Sequence, residues 1–178
     1  MNVWHDIDPK KISEDEFWAV IEISKDSKMK YELDKKTGML KLDRILHTPT
    51  RYPANYGFIP RTYAEDKDPL DVLVVCNEVI APLTLVKCKP IGVINMIDGG
   101  ENDYKILAVL TDDPVYNSFT DYTELPEHIF KEMSHFFTVY KDLEGKKTFV
   151  SGIEGKDSAK KIIGDCVLAY KEKFGVKI

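Results

Sequence analysis

Phe17-Trp18-Ala19-Val20-Ile21-Glu22-Ile23, then Met29-Lys30-Tyr31-Glu32-Leu33, then Met39-Leu40-Lys41-Leu42 after the turn Lys35-Lys36-Thr37-Gly38, is the stretch that decides the fold class. The runs are short and rich in β-branched, aromatic and aliphatic residues, and Gly38 can supply the positive φ of a tight turn. Short strands joined by short turns predict antiparallel pairing. Working outward, further strands are expected at Val72 to Cys76, Leu85 to Cys88, Ile91 to Met96 and Lys105 to Leu110. Residues 44–65 hold Pro49, Pro53 and Pro60, so irregular structure is expected there, over a length that often carries function.

Two helices follow the strands. The first opens near Pro126 and sets Ile129, Phe130, Met133, Phe136, Phe137, Tyr140 and Leu143 at spacings of three or four, which makes one apolar face. The second, over about 157–172, is capped by Asp157 or Ser158 and turns Ala159, Ile162, Ile163, Cys166, Val167 and Tyr170 inward. Strands gathered early and helices late predict an α+β or mainly β domain, a small barrel with helices packed outside it. The 178 residues, 43% apolar and 31% charged, suit a single domain over residues 1–178 with an ordinary core.

A net charge of -5 argues against a broad electrostatic grip on nucleic acid or on an anionic membrane. Cys76, Cys88 and Cys166 are odd in number and far apart, which argues against a disulfide frame or a structural zinc site. The first eight residues have no basic head before an apolar core, and no apolar run approaches the ~20 residues of a membrane span. The expectation is a soluble, cytoplasmic protein with reduced thiols.

Chemistry concentrates in Asp66-Lys67-Asp68-Pro69-Leu70-Asp71, three carboxylates immediately before the apolar Val72-Leu73-Val74-Val75. Asp66 and Asp68 share a side in an extended segment, and the bend at Pro69 can turn Asp71 toward the same point. Like charges held close need a cation, and hard divalent ions take oxygen ligands while keeping several waters. A calcium loop of the EF-hand type fails at Leu70, Asp71 and Asn77, where it wants an oxygen ligand, a Gly and a Glu. The bland alternative is a solvated acidic turn. Asp98-Gly99-Gly100-Glu101-Asn102-Asp103 is a second acidic segment at a strand end, with a hairpin turn as its own bland reading.

Cations fall in suitable regions: Lys30, Arg44 and Arg51 in or just after the early strands, and Lys141 beside Tyr140 near the helix end. With the phenols of Tyr52 and Tyr56, such groups can hold phosphate oxygens, although each alone reads as a surface charge or a packed ring. Jointly they describe a polyanion clamped between metal ions and basic side chains, as phosphoryl transfer to water requires. A carboxylate beside that water can take its proton. His5, His47, His128 and His135 form no H-E-x-x-H pattern, and neither a nucleophile elbow nor a P-loop is present.

From about Val20 to Leu143 the chain resembles the soluble family I inorganic pyrophosphatases of bacterial type. The resemblance is carried in order by Ile21-Glu22-Ile23, Lys30-Tyr31-Glu32, Asp43-Arg44, Tyr52-Pro53-Ala54-Asn55-Tyr56-Gly57, the Asp66 to Asp71 run, the Asp98 to Lys105 loop, His135-Phe136-Phe137 and Tyr140-Lys141-Asp142. It implies magnesium-dependent hydrolysis of inorganic diphosphate to two orthophosphates, with a metal-activated water as nucleophile and several Mg2+ ions per site. It also implies a small closed OB-like β-barrel flanked by two or more helices, assembled as a homo-oligomer of hexameric form.

By position, the resemblance makes Asp66, Asp71 and Asp103 ligands of the tightest metal, adds Asp98 on a second, and gives Glu22 and Glu32 water-mediated roles. Asp68 becomes the water-activating base. Lys30, Arg44, Tyr56, Lys105, Tyr140 and Lys141 become phosphate binders, with Tyr52 in support. Four positions depart from the family pattern: Lys67 in place of a small or acidic residue, Gly99 in place of Glu, a Glu22 to Lys30 gap one residue short, and Val139 in place of a second helix histidine. Two rivals remain open on the sequence. One is an OB-type module binding single-stranded nucleic acid, and the other is a nucleotide pyrophosphohydrolase.

Overall fold

The computed structural model of the chain describes residues 2–175. Its elements run β1 (Phe17–Ile23), β2 (Met29–Leu33), β3 (Leu40–Ile45), β4 (Asn55–Phe58), β5 (Asp71–Val75), β6 (Leu85–Asp98), β7 (Glu101–Asn102), β8 (Lys105–Leu110), α1 (Glu127–Val139), β9 (Thr148–Gly155) and α2 (Lys156–Phe174). Among the described residues, seven strands form one mixed sheet, and β2 with β3 forms a separate antiparallel hairpin. The pairings β1–β4, β4–β5, β5–β8, β8–β6 and β6–β1 run in a ring, while β7 and β9 attach to β6 outside it.

Most pairings are antiparallel as expected, but β5 and β8 are parallel, with Asp71 beside Lys105. These two strands are buried along nearly their whole length, which explains their unbroken apolar runs. Leu73, Val75, Leu107 and Val109 join a core cluster with Phe130, Met133, Phe136 and Phe137 of α1. The alternate residues Val72, Val74, Ile106 and Ala108 join a second cluster with Ala159, Ile163 and Cys166 of α2. The period-two alternation of a strand thus serves both helices at once.

Several boundaries differ from the sequence reading for identifiable reasons. The runs 85–88 and 91–96 are one 14-residue strand, because Pro90 sits beside a register shift against β8, where a missing N–H is tolerated. Asn55–Phe58 is a strand inside the stretch expected to be irregular, and a Cβ on its Gly57 would lie 1.9 Å from the carbonyl oxygen of Val20. β9 lies where the sequence pattern predicts no strand, and its register shifts against β6 near Gly152. The first helix ends at Val139, with Pro126 as its cap, and Leu143 lies beyond it, 68% exposed. At the second helix neither Asp157 nor Ser158 caps; Gly155 does, and the N–H of Lys156 donates to Asp121 Oδ2 at 3.0 Å.

Candidate active site

A cleft of about 500 Å³ opens where the hairpin, the 66–71 loop, the ends of β6 and β8 and the segment after α1 meet. β1 contributes Glu22, β4 Tyr56, the hairpin Lys30 and Glu32, the loop Asp66 and Asp68, β5 Asp71, β6 Asp98, the link into β8 Asp103, β8 Lys105, and the segment after α1 Tyr140 with Lys141. Twelve of the fourteen site residues expected from the sequence therefore line one cavity. Arg44 and Tyr52 are the two that do not.

Lys105 is the buried centre. Its side chain is 2% exposed, and Nζ donates to Asp71 Oδ2 at 2.7 Å, Asp103 Oδ1 at 2.8 Å and the Tyr56 hydroxyl at 3.2 Å. The parallel register between β5 and β8 makes the first contact, and Asp103 lies two residues before Lys105 on the same approach. Burial alone would lower the ammonium pKa, but Asp71 and Asp103 outweigh it and hold Lys105 well above the usual lysine value. The two carboxyl groups thus keep the buried lysine in its charged form.

The carboxylates show the opposite strain. Burial, reinforced by Asp71, pushes Glu22 up to about 8, although its Oε1 accepts the N–H of Leu33 at 2.9 Å. Burial likewise pushes Asp66 up to about 6, and raises Asp71 against the opposing pull of Lys105. The phenols of Tyr52, Tyr56 and Tyr140 are raised too, in each case first by burial. They remain hydrogen-bond donors at neutral pH.

The remaining cations pair locally. Lys30 binds Glu32 and lies 3.4 Å from Asp43, Lys141 binds Asp98, and Lys35 binds Asp68. Arg44 stands opposite Lys30 in the hairpin but turns to Asp43 and Glu144, whose Oε1 is 2.7 Å from Nε. Its Nη2 is buried with no hydrogen-bond partner. Tyr52 is buried as a wall, its ring centroid 5.2 Å from Tyr56 and 4.8 Å from Phe136. Arg51 lies outside the cleft and donates to the Asp26 carbonyl.

Two departures from the family pattern have local explanations. Lys67 is exposed, at φ 69°, and is not among the cleft residues. Gly99 and Gly100 take φ values of 59° and 86° in the β6–β7 turn, a conformation that a glutamate would hold only with strain. Sequence reasoning missed Lys35, Lys36 and Lys41 at the cleft, and Asp43 and Glu144 as partners of Arg44. The lysine-rich hairpin turn was the available signal for the first group.

Eight carboxylates and six lysines line the cleft, so it offers sites for both signs of charge. Among the described residues no three acidic, His or Cys side chains are gathered into a ready-made metal cage. The donor set still fits a hard divalent ion. All the acidic donors are carboxylate oxygens, and the raised values of Glu22, Asp66 and Asp71 mark a site short of positive charge. An ion that keeps several waters and shares an anionic ligand suits such an open arrangement better than a closed cage would.

Comparison with known proteins agrees with this geometry. A family model described as inorganic pyrophosphatase matches residues 19–171. The chain is 47% identical over 165 residues to an inorganic pyrophosphatase of Halalkalibacterium halodurans, covering 93% of this chain and 98% of that one. It is 46% identical over 171 residues to soluble inorganic pyrophosphatase 2 of Chlamydomonas reinhardtii, covering 96% and 89%. The solved inorganic pyrophosphatase of Thermus thermophilus superposes with a TM-score of 0.88 at 34% identity, covering 96% of this chain and 99% of that one. The chain belongs to the inorganic pyrophosphatase family.

Proposed function

We propose that this chain hydrolyses inorganic diphosphate to two orthophosphates with magnesium as its cofactor. The observation that carries the proposal is the single cleft in which Lys105, buried between Asp71 and Asp103, faces further carboxylates and lysines. Diphosphate is a compact polyanion, and a cleft lined by both charge signs can take it together with its counter-ions.

Asp66, Asp71 and Asp103 would hold the first ion, Asp98 with Asp103 a second, and Glu22 and Glu32 would act through water. When bound, magnesium neutralises phosphate oxygens and lowers the pKa of a coordinated water. Lys30, Lys105 and Lys141 donate to the phosphate oxygens, and Tyr56 and Tyr140 add hydroxyl donors. Arg44 would donate through Nη2, which is buried with no hydrogen-bond partner. Asp68 takes a proton from the attacking water as its oxygen bonds to one phosphorus. The bridging P–O bond breaks, its electrons leaving with the second phosphate.

Asp68→Asn should lower kcat by about 10²- to 10⁴-fold, the range for loss of a positioned general base. Metal affinity should change far less, because Asp66, Asp71 and Asp103 remain. Unchanged turnover would remove Asp68 from the role. Diphosphate should be preferred over a nucleoside triphosphate; the reverse preference would point to nucleotide pyrophosphohydrolysis.

The ring of strand pairings supports reading the sheet as a small OB-like barrel. Exposed apolar side chains such as Phe149 at 61% support a homo-oligomer, for which we propose a hexamer, testable by sedimentation. The three cysteines are buried free thiols, consistent with a reducing cytoplasm.

A further inference from the structure

The segment before β1 carries no motif, yet it contacts Lys35, which lines the cleft. Asn2 Nδ2 donates to the Lys35 carbonyl at 2.9 Å, and the Trp4 N–H donates to Asn2 Oδ1 at 3.0 Å. The Trp4 ring, 3% exposed, lies 5.8 Å below the Lys35 ammonium. That ammonium pairs with Asp68 Oδ1.

The same indole is also tied to the loop that carries Asp68. Trp4 Nε1 donates to the Thr62 carbonyl at 3.0 Å, and Thr62 Oγ1 accepts the Leu70 N–H at 2.8 Å. Leu70 lies two residues beyond Asp68. Trp4 therefore braces both the cation that faces Asp68 and the loop that carries it, at a fixed spacing.

We propose that Lys35 is a positioning residue for Asp68, with Trp4 as the brace that holds the pair in register. The proposal rests on the reading of Asp68 as the group that takes the water's proton. A carboxylate on an exposed loop can swing between rotamers. Lys35 restricts which oxygen faces the cleft, and the indole face restricts Lys35. The pair is roughly half exposed at each side chain, so its influence is modest and lies in orientation.

Steady-state kinetics with magnesium and diphosphate test this through Lys35→Gln, Lys35→Arg and Trp4→Leu, with the two Lys35 substitutions also made in an Asp68→Asn background. Lys35→Gln should lower kcat about threefold to fivefold with KM unchanged, in line with an exposed pair. Lys35→Arg should restore most of the loss, and Trp4→Leu should lower kcat in the same direction. In the Asp68→Asn background, Lys35→Gln should change kcat by less than about twofold, because its target is gone. An equal loss in both backgrounds, a raised KM with unchanged kcat, or no effect would overturn the proposal. If Asp68→Asn alone keeps full turnover, the base assignment fails instead, and the two failures are told apart. Lys35 is on the surface, so its substitutions leave the fold intact even if Trp4→Leu does not.

Discussion

Replacing Lys105 by Met keeps the side chain's reach and removes the charge on which Asp71 and Asp103 converge at 2.7 and 2.8 Å. Removing one partner of a buried ion pair costs about 3–5 kcal/mol. Asp71 and Asp103 are 22% and 16% exposed, so water reaches them and the lower end, about 3 kcal/mol, applies. For a domain of this size each kcal/mol moves Tm by about 2–4 °C, which gives a fall of roughly 10 °C in chelator. Without the ammonium, the Asp71 carboxyl, already raised by burial, loses the charge that pulls it down and rises further in the folded chain. Raised folded values give stability that is complete below the unfolded carboxylate pKa, about 3.9, and lost as pH rises through the folded values. The deficit of Lys105→Met should therefore grow as pH rises, and millimolar magnesium should return part of it by binding the freed carboxylates. Thermal melts followed by circular dichroism, with and without magnesium, read all three effects. A Tm within about 2 °C of the parent at pH 8 in chelator would refute the reasoning, as would a deficit that shrinks with rising pH.

Glu22, raised to about 8 in the metal-free protein, contributes stability that is fully present below its ordinary value and lost as pH rises toward 8. Magnesium uptake near pH 7 should release protons, and Glu22→Gln should diminish that release in an indicator assay; equal release from both proteins would contradict the assignment. Asn55 is fully buried, accepting the N–H groups of Lys25 and Ile80 and donating to Cys76 Sγ and the Glu78 carbonyl. Asn55→Ala should cost about 2–4 kcal/mol, the sum of several bonds near 1 kcal/mol each, as read by urea denaturation. Gly57→Ala should destabilise by about 3 kcal/mol or more, since its Cβ would meet backbone atoms of β1 rather than a side chain that can move. A near-neutral Gly57→Ala would show that β1 and β4 can separate without penalty.

The hairpin, β5, β8 and the apolar faces of both helices were legible because periodicity alone encodes them. What the sequence hid depends on tertiary partners. β4 and β9 are strands only because β1, β5 and β6 supply their pairing, and the Gly57 close approach has no local signature. The parallel pairing of β5 with β8 was invisible because each run, buried on both faces, reads the same in either direction. The acidic half of the cleft was visible in the 66–71 and 98–103 segments. Lys35 escaped because its partner, Asp68, lies 33 residues away, and no spacing rule reaches that far.

Phosphate release from inorganic diphosphate by the purified protein is the most direct test of the account. With millimolar magnesium the chain should release two orthophosphates per diphosphate consumed, and with excess chelator it should release almost none. A folded protein that releases no phosphate with magnesium, or releases it equally in chelator, would contradict the assignment of the cleft.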